Sequence, residues 1–166
     1  MIRMRCIKTS IGALGALLLV GCSTLSPYSS QTKLQLTLQS SEYLNLDING
    51  RASPLVLRLY ELKHPAAFES TDFFSLYERG KEVLGPDLVN SDELELRPGQ
   101  NLELKLTVGP DSRYVGLLAA YRDLSDTRWR YVIGVRAQEL TRVALTLDET
   151  GIDDAADSLP RETDRP

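Results

Sequence analysis

The chain has 166 residues, of which 42% are hydrophobic, and its formal net charge is −4. This length suits a single domain with its own core. The acidic balance argues against a nucleic-acid-binding surface, which normally requires a patch of basic side chains.

The first 21 residues have the pattern of a secretion signal. Arg3, Arg5 and Lys8 form a basic start, and residues 11–20 (IGALGALLLV) form an uncharged apolar run. Ten residues are too few to cross a bilayer, which needs about 20, but they suit the apolar region of a signal peptide. An ordinary signal peptide followed by an incidental cysteine is the alternative interpretation.

Residues 19–22 (LVGC) resemble the lipobox of bacterial lipoproteins. The resemblance implies that the signal is cut before Cys22, which then carries lipid on its sulfur and a further chain on its new amine. Two or more acyl chains anchor a protein stably, whereas one does not. The following residue is Ser23 rather than aspartate, which by resemblance to Gram-negative sorting rules permits transfer to the outer membrane. The expected location is the periplasmic face of that membrane.

Composition divides the remaining 145 residues into three parts. Residues 22–32 are rich in Ser and Thr and are predicted to be a flexible tether. Residues 33–147 form the predicted folded domain, and the acidic residues 148–166 are predicted to be a disordered tail. The mature part has 16 basic and 23 acidic residues, a net charge of −7. Both cysteines are consumed, Cys6 with the signal and Cys22 by lipid, so no disulfide is expected.

Apolar residues in the folded part mostly recur at every second position, which is typical of strands with one buried face. Such alternation covers residues 34–38, 55–59, 102–108 and 143–147. Residues 114–121 are apolar on both faces and predict a central strand. Two more strands are predicted at residues 129–135 and at the short pair Leu94 and Leu96. A turn is predicted at residues 97–101. Residues 66–79 (AAFESTDFFSLYER) have helical spacing, with Ser70 or Thr71 as the expected cap and Gly80 as the expected end. The prediction is an antiparallel β-sandwich with one inserted helix.

The order of motifs resembles the TssJ family of lipoproteins from type VI secretion systems. The resemblance covers nearly all of the folded part and rests on residues 44–63 (LNLDINGRASPLVLRLYELK), Phe68, 72–77 (DFFSLY), 84–85, 97–99 (RPG), 115–116, 119–123 (AAYRD) and 129–130 (WR). It implies a mainly β, transthyretin-like sandwich with one added helix. It also implies a non-enzymatic, structural role in the membrane complex.

The same resemblance implies a partner and a contact element. The periplasmic C-terminal region of TssM would dock on this domain, with TssL as an indirect partner. The contact element would be the loop between the first two strands, made of Asn45, Leu46, Asp47, Ile48, Asn49, Gly50, Arg51, Ala52 and Ser53. Two alternatives remain open for Leu46 and Ile48: they pack onto the edge of the sandwich, or they form an exposed patch that TssM covers.

Catalytic and metal-binding motifs are weak in this sequence. Asn45, Asp47 and Asn49 match the first half of a calcium loop, but its twelfth position is Val56 instead of glutamate. His64 is the single histidine, so neither a triad nor a histidine metal cluster is expected. We therefore expect no enzyme activity, no metal, no cofactor apart from the covalent lipid on Cys22, and no small-molecule substrate.

Several aromatic and acidic residues have simpler predicted roles. Phe73 and Tyr77 are expected in the core, with Phe74 undecided, and Trp129 is expected to be buried beside an Arg–Asp pair. Carbohydrate recognition by Trp129 would make the protein a periplasmic glycan- or peptidoglycan-binding module, which is the alternative function. A solvated edge is predicted for Asp87, Asp92, Glu93 and Glu95.

Overall fold

The computed structural model describes residues 31–156, and within them it contains eight strands and two α-helices. The elements in chain order are β1 (Thr32–Ser40), β2 (Leu55–Leu62), α1 (Ala66–Ser70), α2 (Phe73–Leu84), β3 (Leu88–Leu96), β4 (Asn101–Val108), β5 (Tyr114–Ala119), β6 (Arg130–Gly134), β7 (Leu140–Leu147) and β8 (Ile152–Asp154). A single 3-10 turn, Gly85–Asp87, joins α2 to β3. No helix in this part of the chain is long and apolar enough to span a membrane.

The strands form two four-stranded sheets that pack as a β-sandwich, which confirms the predicted fold class. Sheet A has the order β4-β1-β7-β8, and sheet B has the order β3-β2-β5-β6. One pairing differs from the antiparallel prediction, because β1 and β7 are parallel. The chain crosses from β6 in sheet B and re-enters sheet A at the end where β1 begins, as shown by the 3.0 Å bond from Lys33 N to Glu139 O.

The core lies between the two sheets and is built from the alternating residues that the sequence indicated. Leu34, Leu36 and Leu38 of β1 are fully buried, and their neighbours on the outer face of sheet A are partly exposed. Strand β5 is buried on both faces, as predicted for a central strand. Its outer face is covered by the helical layer, where the Phe68 ring would lie 2.8 Å from any Cβ at Gly116. Glycine at this position therefore lets α1 approach the sheet.

The predicted single helix is two helices, so that prediction is corrected. Thr71 is extended, with ψ of 144°, and separates α1 from α2. Asp72, instead of Ser70 or Thr71, caps α2 by accepting a 3.0 Å hydrogen bond from Ser75 N. The helix continues past Gly80 and ends at Leu84. Gly85, with φ of 48°, ends the helix just before Pro86, whose ring disfavours helical backbone in the preceding residue.

The predicted boundary of the disordered tail is wrong for residues 148–156. These residues turn back and add β8 to sheet A beside β7. The turn is closed by the Asp148 carboxylate, which accepts hydrogen bonds from Thr150 N and Gly151 N, and Ile152 is 2% exposed in the core. A buried apolar residue, a local carboxylate turn and pairing with β7 together order this acidic segment. The remainder of the predicted tail, the predicted signal peptide, Cys22 and Ser23 lie outside the described residues.

Strand β3 is longer than the predicted pair Leu94 and Leu96. It spans nine residues because it is an edge strand, where polar side chains can stay exposed on both faces. Asp92, Glu93 and Glu95 are exposed on it, as expected. Asp87 differs, since it is partly buried in the 3-10 turn and contacts His64.

Candidate docking surface

The loop between β1 and β2, residues 41–54, is fixed at its base by a buried asparagine. Asn45 is 5% exposed, although it is polar and adopts the left-handed backbone conformation, with φ of 49°. Its side-chain amide donates to Pro54 O at 2.8 Å, and its side-chain oxygen accepts from Arg122 N at 2.9 Å. These bonds satisfy a polar group that would otherwise be costly to bury. Asn45 was predicted as a contact residue, but the structure gives it a supporting role.

The tip of the loop is a closed turn built around Asp47. Gly50 N donates to Asp47 O at 2.9 Å, and Asp47 N donates to Arg51 O at 2.9 Å. One carboxylate oxygen of Asp47 accepts from Asn49 N at 2.8 Å and from Arg51 N at 2.9 Å. The other accepts from the Arg51 guanidinium, 2.8 Å away. Gly50 has φ of 74°, a conformation that glycine adopts without strain.

These contacts explain the electrostatics of the tip. Hydrogen bonds from Arg51 N, the Arg51 side chain and Asn49 N stabilise the charged carboxylate and hold the pKa of Asp47 below its ordinary value of 3.8. Both oxygens of Asp47 already accept hydrogen bonds. Within residues 31–156, no group of three His, Cys, Asp or Glu side chains could hold a metal.

The turn presents one apolar side chain to solvent. Ile48 is 100% exposed, and Tyr43 on the same loop is 65% exposed. Leu46 is partly buried. The two open alternatives are therefore divided between the residues: Leu46 packs partly against the domain, whereas Ile48 projects from it. Tyr43 and Ile48 are two of the four large hydrophobic side chains that are exposed in residues 31–156.

A second loop, residues 120–129, lies beside the first and extends the surface. Its Arg122 and Asp123 line, together with the tip residues, a shallow depression of about 730 Å³. The Arg122 backbone bonds to Asn45, which is 77 positions earlier in the chain. Sequence analysis missed this contribution, because no local pattern relates the two loops before the fold is known.

The second loop is held by the turn after β7 and by β8. Arg128 N donates to Thr150 O at 3.0 Å, and Ile152 N donates to Arg128 O at 2.9 Å. The Arg128 guanidinium also pairs with Asp153. Gly151, with φ of 129°, leaves no room for a side chain, since a Cβ there would lie 2.5 Å from Arg128 N. The ordered part of the predicted tail thus supports the candidate surface.

The remaining singled-out side chains have structural contacts. Phe73 is buried, Tyr77 stacks on it with centroids 5.5 Å apart, and Phe74 is 63% exposed. Trp129 was expected to be buried but is only partly buried. Its ring packs edge-on against Phe73, with centroids 5.3 Å apart, and the Arg130 guanidinium lies 4.5 Å from its centroid. The structure therefore places Arg130, and no Arg–Asp pair within residues 31–156, against the Trp129 ring. His64 is exposed, with Nδ1 2.9 Å from Asp87 Oδ1.

Comparison with known families decides what kind of protein carries this surface. The model of the family described as type VI secretion lipoprotein, VasD, EvfM, TssJ matches residues 32–150. The chain belongs to this family. The match covers strands β1 to β7 and both loops of the candidate surface. No curated protein sequence matches the chain.

Solved structures of TssJ-family and related proteins agree with this assignment. The type VI secretion lipoprotein TssJ1 from Pseudomonas aeruginosa is 39% identical, with a TM-score of 0.71, over 74% of this chain and 94% of that one. Lip from Serratia marcescens, a membrane-bound component of the type VI secretion system, is 25% identical, with a TM-score of 0.70, over 75% and 97%. A chain of a type VI membrane complex has the same fold at 21% identity, with a TM-score of 0.66, over 78% and 99%.

Proposed function

We propose that this TssJ-family protein is a non-enzymatic docking lipoprotein of the type VI membrane complex. Lipid on Cys22 anchors it to the periplasmic face of the outer membrane, and the loop of residues 41–54 docks the periplasmic C-terminal region of TssM. TssL is reached indirectly through TssM. The observation that carries the proposal is the fully exposed Ile48 on a turn that Asp47 closes on both sides.

The direction of β1 supports separate positions for the lipid anchor and the docking loop. The chain enters the sandwich at Thr32, the last residue of the predicted tether, and the loop begins at the other end of β1, after Ser40. Nine residues of strand span about 30 Å. The lipid end and the docking end of the domain are therefore well separated, so a partner can reach Ile48 without competing with the membrane for the same surface.

The pre-formed turn also supports docking over a purely structural role for the loop. A partner that covers Ile48 would pay little entropy for ordering the loop, because Asp47 and Asn45 already hold its backbone. Interfaces usually have an apolar centre and a polar rim. Here Ile48 would insert into a pocket of the partner, and polar groups such as Arg51 and Arg122 would surround it.

The anchoring part of the proposal is tested by Cys22→Ser. We expect the variant to leave the outer-membrane fraction and type VI secretion to fail, because no acyl chain can be attached to the serine. A matched control is Cys6→Ser, which changes the predicted signal but not the lipid site. Normal secretion by Cys22→Ser, with the protein found in the soluble periplasmic fraction, would contradict the anchoring role.

The docking part is tested by Asn49→Trp, which adds a large side chain beside Ile48 at an exposed position. Co-purification of TssM with the variant should fall at least tenfold relative to the wild-type chain. Glu95→Trp, at an exposed position on β3, is the control and should co-purify TssM normally. Equal recovery of TssM with Asn49→Trp and wild type would show that the tip is not the contact.

A further inference from the structure

A second surface, independent of the docking loop, lies along the outer edge of sheet A. Strand β4 is the end strand of that sheet and pairs on one side only, with β1. The pairing runs through eight consecutive positions with no bulge, from Asn101 to Val108. A straight edge of this length, without proline or glycine, is a template for pairing with a further strand.

The neighbouring edge strand of sheet B, β3, has features that disfavour pairing with a further strand, whereas β4 lacks them. Strand β3 carries exposed Asp92, Glu93 and Glu95, and its pairing with β2 shifts register at Glu61 and Leu62. Two β3 strands placed side by side would bring like charges together. Such features normally prevent edge-to-edge pairing.

Strand β4 is complementary to itself when it is read in opposite directions from Leu104. In an antiparallel pair of two copies with Leu104 opposite Leu104, Glu103 of each copy faces Lys105 of the other. Leu102 then faces Leu106, and Asn101 faces Thr107. Each cross-strand pair therefore matches apolar with apolar, polar with polar, or acid with base, which is the pattern that stabilises antiparallel sheets.

The inner face of β4 also has apolar surface left to cover. Leu102, Leu104 and Leu106 are only partly buried, although they point into the sandwich. A cavity of about 300 Å³ opens between the edges of β4 and β3, with Leu104 and Leu106 in its wall and Leu59 and Val115 behind them. A second β4 strand would place its own leucines over this opening.

We propose that two copies of this protein associate through antiparallel pairing of their β4 strands, centred on Leu104, to form one continuous sheet. Each Thr32 lies opposite Val108, which is four residues from the two-fold axis at Leu104. The two Thr32 residues are therefore about 27 Å apart along the strands. Ten residues, 22–31, precede Thr32 and span up to about 33 Å. Both copies can therefore be anchored in one membrane, where confinement raises their effective concentration.

Charge reversal on β4 tests this pairing in the full chain. Two copies with different affinity tags are expressed together, extracted from membranes in detergent and recovered through one tag. The wild-type copies are expected to co-purify. When both copies carry Glu103→Lys, or both carry Lys105→Glu, like charges face each other twice, and recovery should fall by about tenfold.

A mixed pair, in which each copy carries a different one of the two substitutions, distinguishes strand pairing from misfolding and from bridging by another protein. One copy with Glu103→Lys and one with Lys105→Glu restore opposite charges at both positions, so co-purification should return to the wild-type level. Glu95→Lys in both copies makes the same charge change on β3 and should not lower recovery. Three results would overturn the proposal: no co-purification of wild-type copies, no loss in the singly reversed pairs, or no recovery in the mixed pair.

Discussion

The base and the tip of the docking loop differ in which kind of side chain they bury and which kind they expose. Asn45 is polar and buried at 5% exposure, whereas Ile48, three residues later, is apolar and fully exposed. The buried polar side chain is the unusual one of the two, since single exposed apolar residues are common on protein surfaces. The buried asparagine is explained within the chain, because both ends of its amide are hydrogen-bonded. We propose that the exposed isoleucine is explained by the partner that docks on this loop.

The largest effect on stability is expected from Asn45→Ala. The variant leaves Pro54 O and Arg122 N without their partner and places alanine at a left-handed backbone position. We expect the free energy of unfolding to fall by about 2–4 kcal/mol, measured by chemical denaturation. Asn49→Ala, at an exposed position, is the control and should change it by less than about 0.5 kcal/mol. Similar values for the two variants would remove the distinction between base and tip.

A smaller, local effect is expected from changes at Asp47. Asp47→Asn keeps an oxygen that can accept from Asn49 N and Arg51 N, whereas Asp47→Ala keeps none. Alanine should therefore speed amide hydrogen exchange at residues 49 and 51 and leave the core strands unchanged, while asparagine should preserve most of the protection. Protection that survives in Asp47→Ala would show that the turn does not depend on this side chain.

The tip should also respond to acid while the base does not. The pKa of Asp47 is lowered by hydrogen bonds from Arg51 and Asn49, so its contribution is present above the ordinary value of 3.8 and is lost as the pH falls through the lowered value. Amide chemical shifts of Asn49 and Arg51 should therefore titrate below pH 3.8. The Asn45 side-chain amide has no titrating group as a partner and should not follow them. In Asp47→Asn the titration at residues 49 and 51 should disappear.

Much of the sandwich could be predicted from the period of two, because burial on one face fixes alternate residues such as Leu34, Leu36 and Leu38. What was missed depends on contacts that are distant in sequence. The parallel pairing of β1 and β7, and the bond between Arg122 and Asn45, arise only when the sheets assemble. Strand β8 was hidden by its acidic composition, although the buried Ile152 ties it to the core.

The candidate loop itself could be located from the sequence only through family resemblance. Its residues alone did not distinguish supporting from exposed positions, since both Leu46 and Ile48 are apolar and flanked by polar neighbours. The structure separates them through the turn at Asp47, which leaves Ile48 exposed at the tip, whereas Asn45 is buried at the base.

The most direct test of the account is the affinity of the full-length TssM periplasmic region for Ile48→Asp, measured together with the variant's stability. Because Ile48 makes no buried contact, the free energy of unfolding should stay within about 0.5 kcal/mol of the wild-type value. Burial of a charge in the apolar centre of the interface should weaken binding by at least about 100-fold. Wild-type affinity in a normally stable Ile48→Asp protein would contradict the account.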